Sequence, residues 1–437
     1  MLKLEHLRRE VSKYDYVRFS LCDLNCTSRG QVIPSRYAAR YIQDGLDMFE
    51  GILAMGPKTE KVVITHEKNH NLGNMLILSD PYTLRPIPWA PEGIKMAEIL
   101  CESRWKKDNS PQLACPRYVT RMQLQRLDDL GLDFYSGNEI EFKLLDESLN
   151  PVYFGRGGFN QRLFNKNSKL LFHFDRNFQE SNIDVESYHA ENTDGIFEAV
   201  TKPKFGIESP DMAFNLKEGL MEMADLQGFK VTFMANFNSG EDVIANHFNF
   251  SLWNKSGENV FYDDEAPDKL STIARQWIAG ILKHGKAICA FANPTVNCYR
   301  NFFKMLYPLH IYWGIEDRHA YLRIKNKAPC TTYIENRLPS GKSNPYLVMA
   351  STIAAGLDGV NRKMECPAQG KTKDTESFPC CLAEALAELE KDVDLCHALG
   401  YELVTWFVKS KKDAEIAKYD GIESDEERFA IEKENYL

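Results

Sequence analysis

The sequence has 437 residues, of which 43% are hydrophobic and 26% are charged, so the chain is long enough for a large core and for two or three domains. Lysines and arginines number 53 against 62 aspartates and glutamates, and the net charge of −9 disfavours binding to nucleic acid irrespective of its sequence. The charged start lacks the apolar block of a signal peptide, and no apolar run approaches the ~18 residues of a membrane span. We therefore expect a soluble, cytoplasmic protein with neither nucleic-acid nor membrane partners.

The cysteines number 11, and none of them forms a CxxC pair. Cys22 and Cys26 are separated by three residues, and Cys380 is followed directly by Cys381. An odd number without regular spacing is typical of free thiols in an intracellular protein. Zinc binding or disulfide formation is the minor alternative.

Short β-like runs separated by turn signals fill the first hundred residues, for example at 16–23 and 61–66. A polar, proline-containing segment then precedes the first convincing amphipathic helix, predicted at 118–130. We place the domain boundary within that segment. It divides the chain into an N-terminal domain of residues 1–109 and a larger domain of residues 110–437.

Strands alternate with long helices after this boundary. Helices are predicted at 209–228, 270–283 and 382–395, and another opens at Asn344, which precedes a proline. The charged tail at 423–437 is predicted to be an amphipathic helix that covers the protein on its solvent side.

Acidic residues interrupt several of the β-like runs. Glu139 and Glu141 alternate with Ile140 and Phe142, and period-two geometry places both carboxylates on one face of a strand. Two like charges side by side are costly unless a cation lies between them. A single Glu-x-Glu strand is more often a solvated surface.

Three further runs repeat this pattern. Their polar residues are Glu191 and Glu198 around a turn, His247, Asn249 and Ser251 on one face of a strand, and Glu335 with Arg337 on one face of another. Together, the four runs put several acids and one histidine on polar strand faces, which predicts a divalent-metal site. Oxygen-rich ligands with few imidazoles favour Mg²⁺ or Mn²⁺ over zinc.

Three arginines lie in the same part of the sequence, namely Arg300, Arg318 and Arg323. Metal-bridging carboxylates combined with arginine donors hold nucleotide phosphates and stabilise a transferring phosphoryl group. The sequence has no Walker P-loop and no usable GxGxxG, so an ATP site here would be of another type. Each arginine taken alone is equally consistent with a surface ion pair.

Six segments occur in the order of the motifs of the glutamine synthetase superfamily, and the resemblance covers most of the chain. They are GNEIEF, YHAENTDGIFE, HFNFSL, NPTVNCYR, GIEDRHAYLRI and YIENRLPSGKSNPYLVMASTIAAGLDGV. The resemblance implies an α+β fold with an N-terminal β-grasp domain, to which residues 48–52 would belong. A large catalytic α/β domain would follow, with an antiparallel sheet that forms the active-site barrel. The resemblance also implies self-association into stacked rings with active sites between neighbouring subunits.

The family's metal ligands all find matches in this sequence. The resemblance implies one divalent ion held by Glu141, Glu191 and Glu198, and a second, bridging the nucleotide phosphates, held by Glu139, His247 and Glu335. The ions would be Mg²⁺ or Mn²⁺, with ATP as co-substrate.

Further positions match residues that bind phosphate, nucleotide and substrate. The arginines that bind phosphates and the phosphorylated intermediate match Arg318, Arg323 and Arg337, and a nucleotide-site serine matches Ser251. Asn249 stands where the family has the second histidine of that strand, and Tyr333 stands where it has a nucleotide-site arginine.

The sequence departs from the family in the flap that follows NCYR. The family's flap contains a glutamate that closes the site and helps to deprotonate ammonium, whereas residues 301–308 read NFFKMLYP, with no acid and one residue fewer. The arginine that binds the substrate carboxylate matches Arg300 if the gap follows it, and otherwise Asn301 takes that position. Glu50 replaces the aspartate of the family's F-D-G-S-S motif. Loss of a flap acid lowers the rate of such a reaction by ~10²–10⁴.

Two kinds of function follow from the resemblance. The first is an ATP- and Mg²⁺-dependent ligase that joins glutamate to ammonia or an amine through γ-glutamyl phosphate, and the altered flap favours an amine other than ammonia. The second is a non-catalytic, lengsin-like member whose rings serve a structural or chaperone-like role, with cytoskeletal partners. A third hypothesis is a sensor that binds nucleotide without turnover.

Overall fold

A computed structural model describes the whole chain except residues 1–3, 65, 67, 69–72, 156, 238–241 and 303–306. The described residues form two mixed sheets with helices packed around them. None of the described helices combines the length and the apolar character needed to cross a membrane.

The first sheet lies entirely before residue 106. Its elements are α1 (Leu4–Val11), β1 (Tyr16–Cys22), β2 (Ser28–Pro34), α2 (Ser35–Asp44), β3 (Leu46–Phe49), β4 (Asn74–Ser79), β5 (Arg85–Pro86) and β6 (Met96–Trp105). The strand order is β2-β1-β6-β4-β3, with β5 also paired to β6. Only the β1–β6 pair is parallel among the described pairings of this sheet. The predicted strand at 16–23 is confirmed, and the β-grasp assignment stays a prediction.

The predicted strand at 61–66 is wrong, because the described residues 61–64 have no regular secondary structure. Val62 and Ile64 are nonetheless buried in the core while Val63 is exposed. The alternation that suggested a strand therefore reflects alternate side chains docking on the core, and it does not require a hydrogen-bonded partner.

The second sheet and most of the helices follow. The elements up to residue 260 are α3 (Pro116–Asp128), β7 (Leu132–Leu145), α4 (Gln161–Glu180), β8 (Val185–Ala190), β9 (Ile196–Thr201), β10 (Lys204–Phe205), α5 (Glu208–Leu226), β11 (Lys230–Thr232) and β12 (Asn246–Asn254). Those after it are α6 (Thr272–Lys283), α7 (Gly285–Ala292), β13 (Trp313–Ile315), β14 (Leu322–Asn326), β15 (Thr332–Asn336), α8 (Pro345–Asn361), α9 (Leu382–Lys391), α10 (Val393–Leu399), α11 (Tyr401–Ala414) and α12 (Asp425–Tyr436).

The strand order of the second sheet is β13-β14-β15-β12-β7-β9-β8, with β10 and β11 also paired to β7. Only the β13–β14 pair is parallel among its described pairings. The largely antiparallel sheet agrees with the expectation, whereas the described pairings form an open path, so the predicted barrel stays a prediction. Ile140 and Phe142 of β7 are fully buried in the core, which leaves the acidic face of the strand on the other side.

Helix α8 lies at the centre of the helical layer, and nearly all of its residues are buried. It begins as predicted, since the Asn344 side chain caps it by accepting a hydrogen bond from Tyr346 N at 3.0 Å. Glycines allow α6 to approach it closely. A Cβ atom on Gly280 would lie 2.2 Å from Ala355 O, and one on Gly359 would lie 2.0 Å from Gln276 O.

The single helix predicted at 382–395 is wrong, because the chain forms two helices, α9 and α10, that meet at Asp392. Asp392 Oδ1 accepts from Leu395 N at 3.0 Å and so caps α10. Its Oδ2 lies 2.6 Å from His284 Nδ1, which ties the break to the buried end of α6.

The tail forms the predicted helix, but it is more than a solvated cover. Glu432 of α12 is fully buried. Its carboxylate accepts from Arg300 Nε at 2.8 Å and from Asn297 Nδ2 at 2.6 Å. Arg300 also lies over the ring of Phe429, with its guanidinium carbon 5.0 Å from the ring centroid. The helix is therefore anchored to the segment just before residues 303–306.

This anchoring predicts that Glu432→Ala destabilises the protein by about 2 kcal/mol, since it removes the buried acceptor of Arg300 and leaves that arginine with the exposed Asp425 as its acidic partner. Urea unfolding followed by circular dichroism measures the change. Glu434→Ala is the matched control on the same helix, because Glu434 is exposed and its ion pair among the described residues is with Lys58, which is also exposed. Equal stability of the two variants would contradict the anchoring role.

Candidate functional site

The polar faces of four neighbouring strands meet on one side of the second sheet. Glu139 of β7 lies opposite His247 of β12, and Glu141 of β7 lies opposite Glu198 of β9. The turn predicted around Gly195 connects β8 and β9, with Gly195 at φ +67°, a conformation that favours glycine. The period-two reading of these runs is confirmed, and it places the acids in one cluster.

One end of the cluster contains Glu139, His247 and Glu335. His247 Nδ1 lies 3.1 Å from Glu139 Oε2 and 3.8 Å from Glu335 Oε1. Asn249 Nδ2 donates to Glu139 Oε1 at 3.0 Å. Asn249 therefore supports a carboxylate of the cluster, a role that an amide donor can perform.

The other end contains Glu141, Glu191 and Glu198 together with His189. His189 Nε2 lies 2.8 Å from Glu191 Oε1 and 3.7 Å from Glu198 Oε1. Glu141 Oε2 accepts from Ala245 N at 2.8 Å, which leaves its second oxygen for the cluster. The sequence interpretation did not select His189, although period-two geometry in the H-x-E segment places it on the same face as Glu191.

Two sets of residues have possible ligand atoms within 4.8 Å of one another: Glu139, Glu198 and His247, and His189, Glu191 and Glu198. Glu198 belongs to both sets and so joins the two ends of the cluster. The oxygen-rich donor sets fit Mg²⁺ or Mn²⁺. The division of ligands between two ions stays as the resemblance implies it.

The carboxyl groups of the cluster have different pKa values, because burial and neighbouring charges act on each of them differently. Burial, followed by the charges of four neighbouring glutamates, raises the pKa of Glu198 to about 10. Burial and then the charge of Glu191 raise the pKa of Glu141 to about 7. Burial also opposes ionisation of Glu139, but the hydrogen bond and charge of His247 outweigh it and lower that pKa to about 2. Such a cluster holds more negative charge than its own histidines neutralise, and it favours a bound cation.

Two arginines approach the cluster from β14 and from the end of β15. Arg323 NH1 donates to Glu335 Oε2 at 3.1 Å, and Arg337 NH1 donates to Glu335 Oε1. The buried Nε atoms of both arginines, and the buried Oδ1 of Asn249, have no hydrogen-bond partner among the described residues. Donors that are buried, charged and free suit the oxygen atoms of a phosphate group.

The remaining predicted phosphate and nucleotide residues lie around this face. Ser251 of β12 is buried and accepts from Trp253 Nε1 at 2.9 Å. Tyr333 of β15 lies near the cluster, since burial and then the charges of Glu139 and Glu335 raise its pKa to about 12. Arg318 is exposed in the turn between β13 and β14, and no hydrogen bond or ion pair links it to the other described residues. The roles of these three residues stay predictions.

Two predicted site residues are not brought to the cluster by contacts among the described residues. Glu50 is buried at the end of β3 in the N-terminal sheet, where burial raises its pKa to about 7. Arg300 is held by α12 through Glu432 and through Asp425, whose Oδ1 lies 2.8 Å from Arg300 NH2. Of the altered flap, residues 303–306 lie outside the described residues.

Comparison with known proteins agrees with this arrangement. The family model for the glutamine synthetase catalytic domain matches residues 113–430. Lengsin of Rattus norvegicus is 29% identical over 434 residues, which cover 94% of this chain and 74% of that protein. Glutamine synthetase of Thermotoga maritima is 29% identical over 429 residues, which cover 94% of this chain and 95% of that protein. Among solved structures, a GmaS/ADP complex superimposes with a TM-score of 0.86 at 23% identity, covering 98% of this chain and 99% of that one.

The cluster predicts that Mn²⁺ stabilises the protein by roughly 2–3 kcal/mol when it is present at about 100 times its dissociation constant. Glu198→Gln removes a ligand shared by both sets while keeping the side-chain shape. We expect it to leave the metal-free protein folded and to abolish most of the rise in thermal midpoint on adding Mn²⁺. Scanning calorimetry with and without Mn²⁺ measures both effects.

The control is Glu186→Gln, an exposed acid on the same strand as His189. It should respond to Mn²⁺ as the unsubstituted protein does. An unchanged Mn²⁺ response in Glu198→Gln would exclude the cluster as the site of binding.

Proposed function

Because the chain belongs to the glutamine synthetase family, we propose that it is an ATP-dependent ligase that joins glutamate, or a related carboxylate, to an amine through a γ-glutamyl phosphate intermediate. The observation that carries this proposal is the cluster of carboxylates and histidines whose Glu335 accepts hydrogen bonds from Arg323 and Arg337. The buried Nε atoms of both arginines have no hydrogen-bond partner among the described residues. A protein without phosphoryl chemistry has no chemical need for that combination.

The residues of the cluster would hold Mg²⁺ or Mn²⁺. Its ligands would be Glu139, Glu141, Glu191, Glu198, His247 and Glu335, with His189 as a further candidate from the geometry. Bound metal supplies positive charge that neutralises the phosphates of ATP and the transferring group.

The arginines would act on the same phosphoryl group. An oxygen of the substrate carboxylate attacks the γ-phosphorus, the bond to the departing ADP breaks, and negative charge spreads over the three oxygens of the group in transit. Arg323 and Arg337 both donate to Glu335, and in the proposed reaction they would also donate to those oxygens. Arg318 would reach the same group from its exposed turn.

The second step would be attack of the amine nitrogen on the acyl carbon. The carbon–oxygen bond to phosphate breaks, phosphate leaves, and the nitrogen loses a proton. Residues 301–308 contain no acid to assist this proton loss, and this supports an amine other than ammonia. Ser251 and Asn249 would lie on the nucleotide side, as the resemblance implies.

The proposal includes assembly into rings with active sites between neighbouring subunits. It also includes a cytoplasmic location. Glu50 supports the assembly, since this buried carboxyl with a raised pKa directly follows β3 of the N-terminal sheet and has no contact with the cluster of its own chain among the described residues. A neighbouring copy would bring its Glu50 to the amine end of the site.

A non-catalytic, lengsin-like role is the second candidate, with a structural or chaperone-like activity of the rings and cytoskeletal partners. One observation favours it. Arg300, the match for the arginine that binds the substrate carboxylate, has its guanidinium engaged by Glu432 and Asp425 of α12. In that state it has little capacity left for a substrate.

Phosphate release tests the two candidates. Purified protein with Mg²⁺ or Mn²⁺, ATP and glutamate should release phosphate when ammonium or a suitable amine is added. Glu335→Gln should lower the rate by at least 10² because it weakens the hold on both arginines and removes a metal ligand. Glu258→Gln, an exposed acid outside the site, is the control and should keep the full rate. Absence of release with every amine, in folded protein that responds to Mn²⁺, would leave the non-catalytic role.

A further inference from the structure

Phe159 is a large apolar side chain that lies on the surface beside the cluster. It is 67% exposed, although a phenylalanine normally gains stability by burial. Its backbone has φ +57°, a left-handed conformation that is unfavourable for a bulky residue. Exposure and backbone strain together indicate that its position is not explained by folding stability.

The neighbouring chain holds Phe159 in this place. Its backbone N–H donates to Ala190 O at 2.9 Å, next to Glu191. The following residue, Asn160, caps α4 by accepting from Arg162 N at 3.0 Å. Gly158 allows the close approach, since a Cβ atom there would lie 2.4 Å from Asn192 Oδ1.

The ring of Phe159 stacks on His189, with 4.3 Å between the ring centroids and 9° between the planes. His189 in turn lies 2.8 Å from Glu191 and 3.7 Å from Glu198. One face of the phenyl ring is therefore fixed against the cluster, while much of the ring is open to a ligand. An apolar surface and carboxylates thus lie side by side.

We propose that Phe159 selects the amine substrate, and that the amine is a primary amine with an alkyl or aryl substituent rather than ammonia. The nitrogen would lie beside the cluster, where the face of the ring attracts its protonated form. The substituent would lie on the ring and exclude water from it. Ammonia has no carbon atoms to pack on the ring, so it gains no affinity from this surface. The inference rests on the proposed ligase function and names the substrate class of its second step.

Phe154 provides the contrast within the same segment. It is 69% exposed, so it matches Phe159 in type and exposure. No ring contact joins it to the other described residues, including those of the cluster. Of these two phenylalanines, only Phe159 combines exposure with a ring contact to a residue of the site. Substitution of Phe154 is therefore a fair control for loss of a surface phenyl ring.

The experiment compares propylamine, ethanolamine and ammonium as acceptors in the phosphate-release assay. Propylamine and ethanolamine have similar length and differ in polarity at the far end. We expect kcat/KM for propylamine to exceed that for ethanolamine by about tenfold, the range that small apolar contacts provide. Phe159→Ala should lower this ratio to near one, Phe159→Leu should keep most of it, and Phe154→Ala should leave it unchanged.

Isothermal titration of propylamine into protein loaded with Mn²⁺ and ADP separates the inference from the ligase proposal. Binding that is lost in Phe159→Ala, without turnover by any amine, supports the inference and contradicts the ligase. Turnover with equal propylamine-to-ethanolamine ratios in the unsubstituted protein and Phe159→Ala overturns the inference and keeps the ligase. Absence of both turnover and propylamine binding overturns both.

Discussion

The crowding of carboxylates on one face of the second sheet is the constraint on which the rest of the site depends. Glu139, Glu141 and Glu198 are brought together by the pairing of β7 with β12 and β9, and like charges at such positions repel one another. Burial and, after it, the charges of the neighbouring glutamates raise the pKa of Glu198 to about 10. Backbone pairing and the packed core behind the sheet must therefore hold the cluster together in the absence of a cation.

The opposite face of the same strands supplies that support. Ile140 and Phe142 of β7 are fully buried, as are Phe248 and Phe250 of β12. Because side chains alternate along a strand, a shift of register by one residue would exchange the acids for these apolar groups. The same strand register therefore buries the core and assembles the site, so a change of register would disrupt both.

This coupling explains what the sequence could predict. Period-two alternation located the cluster, its turn and its core face, because those features follow from single strands. It failed at 61–66, where Val62 and Ile64 dock without a strand partner, and it did not reveal the break at Asp392. Contacts between distant segments decide both cases. His189 carried a usable signal in its spacing from Glu191, whereas the burial of Glu432 had none.

The chain divides the predicted site into two unequal parts. The proposed phosphate end is assembled within one chain, since both of its buried arginines donate to Glu335 and Arg323 also donates to Glu316. The proposed acceptor end is not, because Glu50 follows a strand of the other sheet and Arg300 is paired with α12. Among the described residues, the ring stack of Phe159 on His189 lies at that end, and a helix cap at Asn160 and a backbone hydrogen bond hold Phe159 in place. In the proposed ligase, chemistry at the phosphate end would thus depend on the fold of a single subunit. The choice of acceptor would depend on this aromatic surface and on what a second copy or a displaced α12 adds to it.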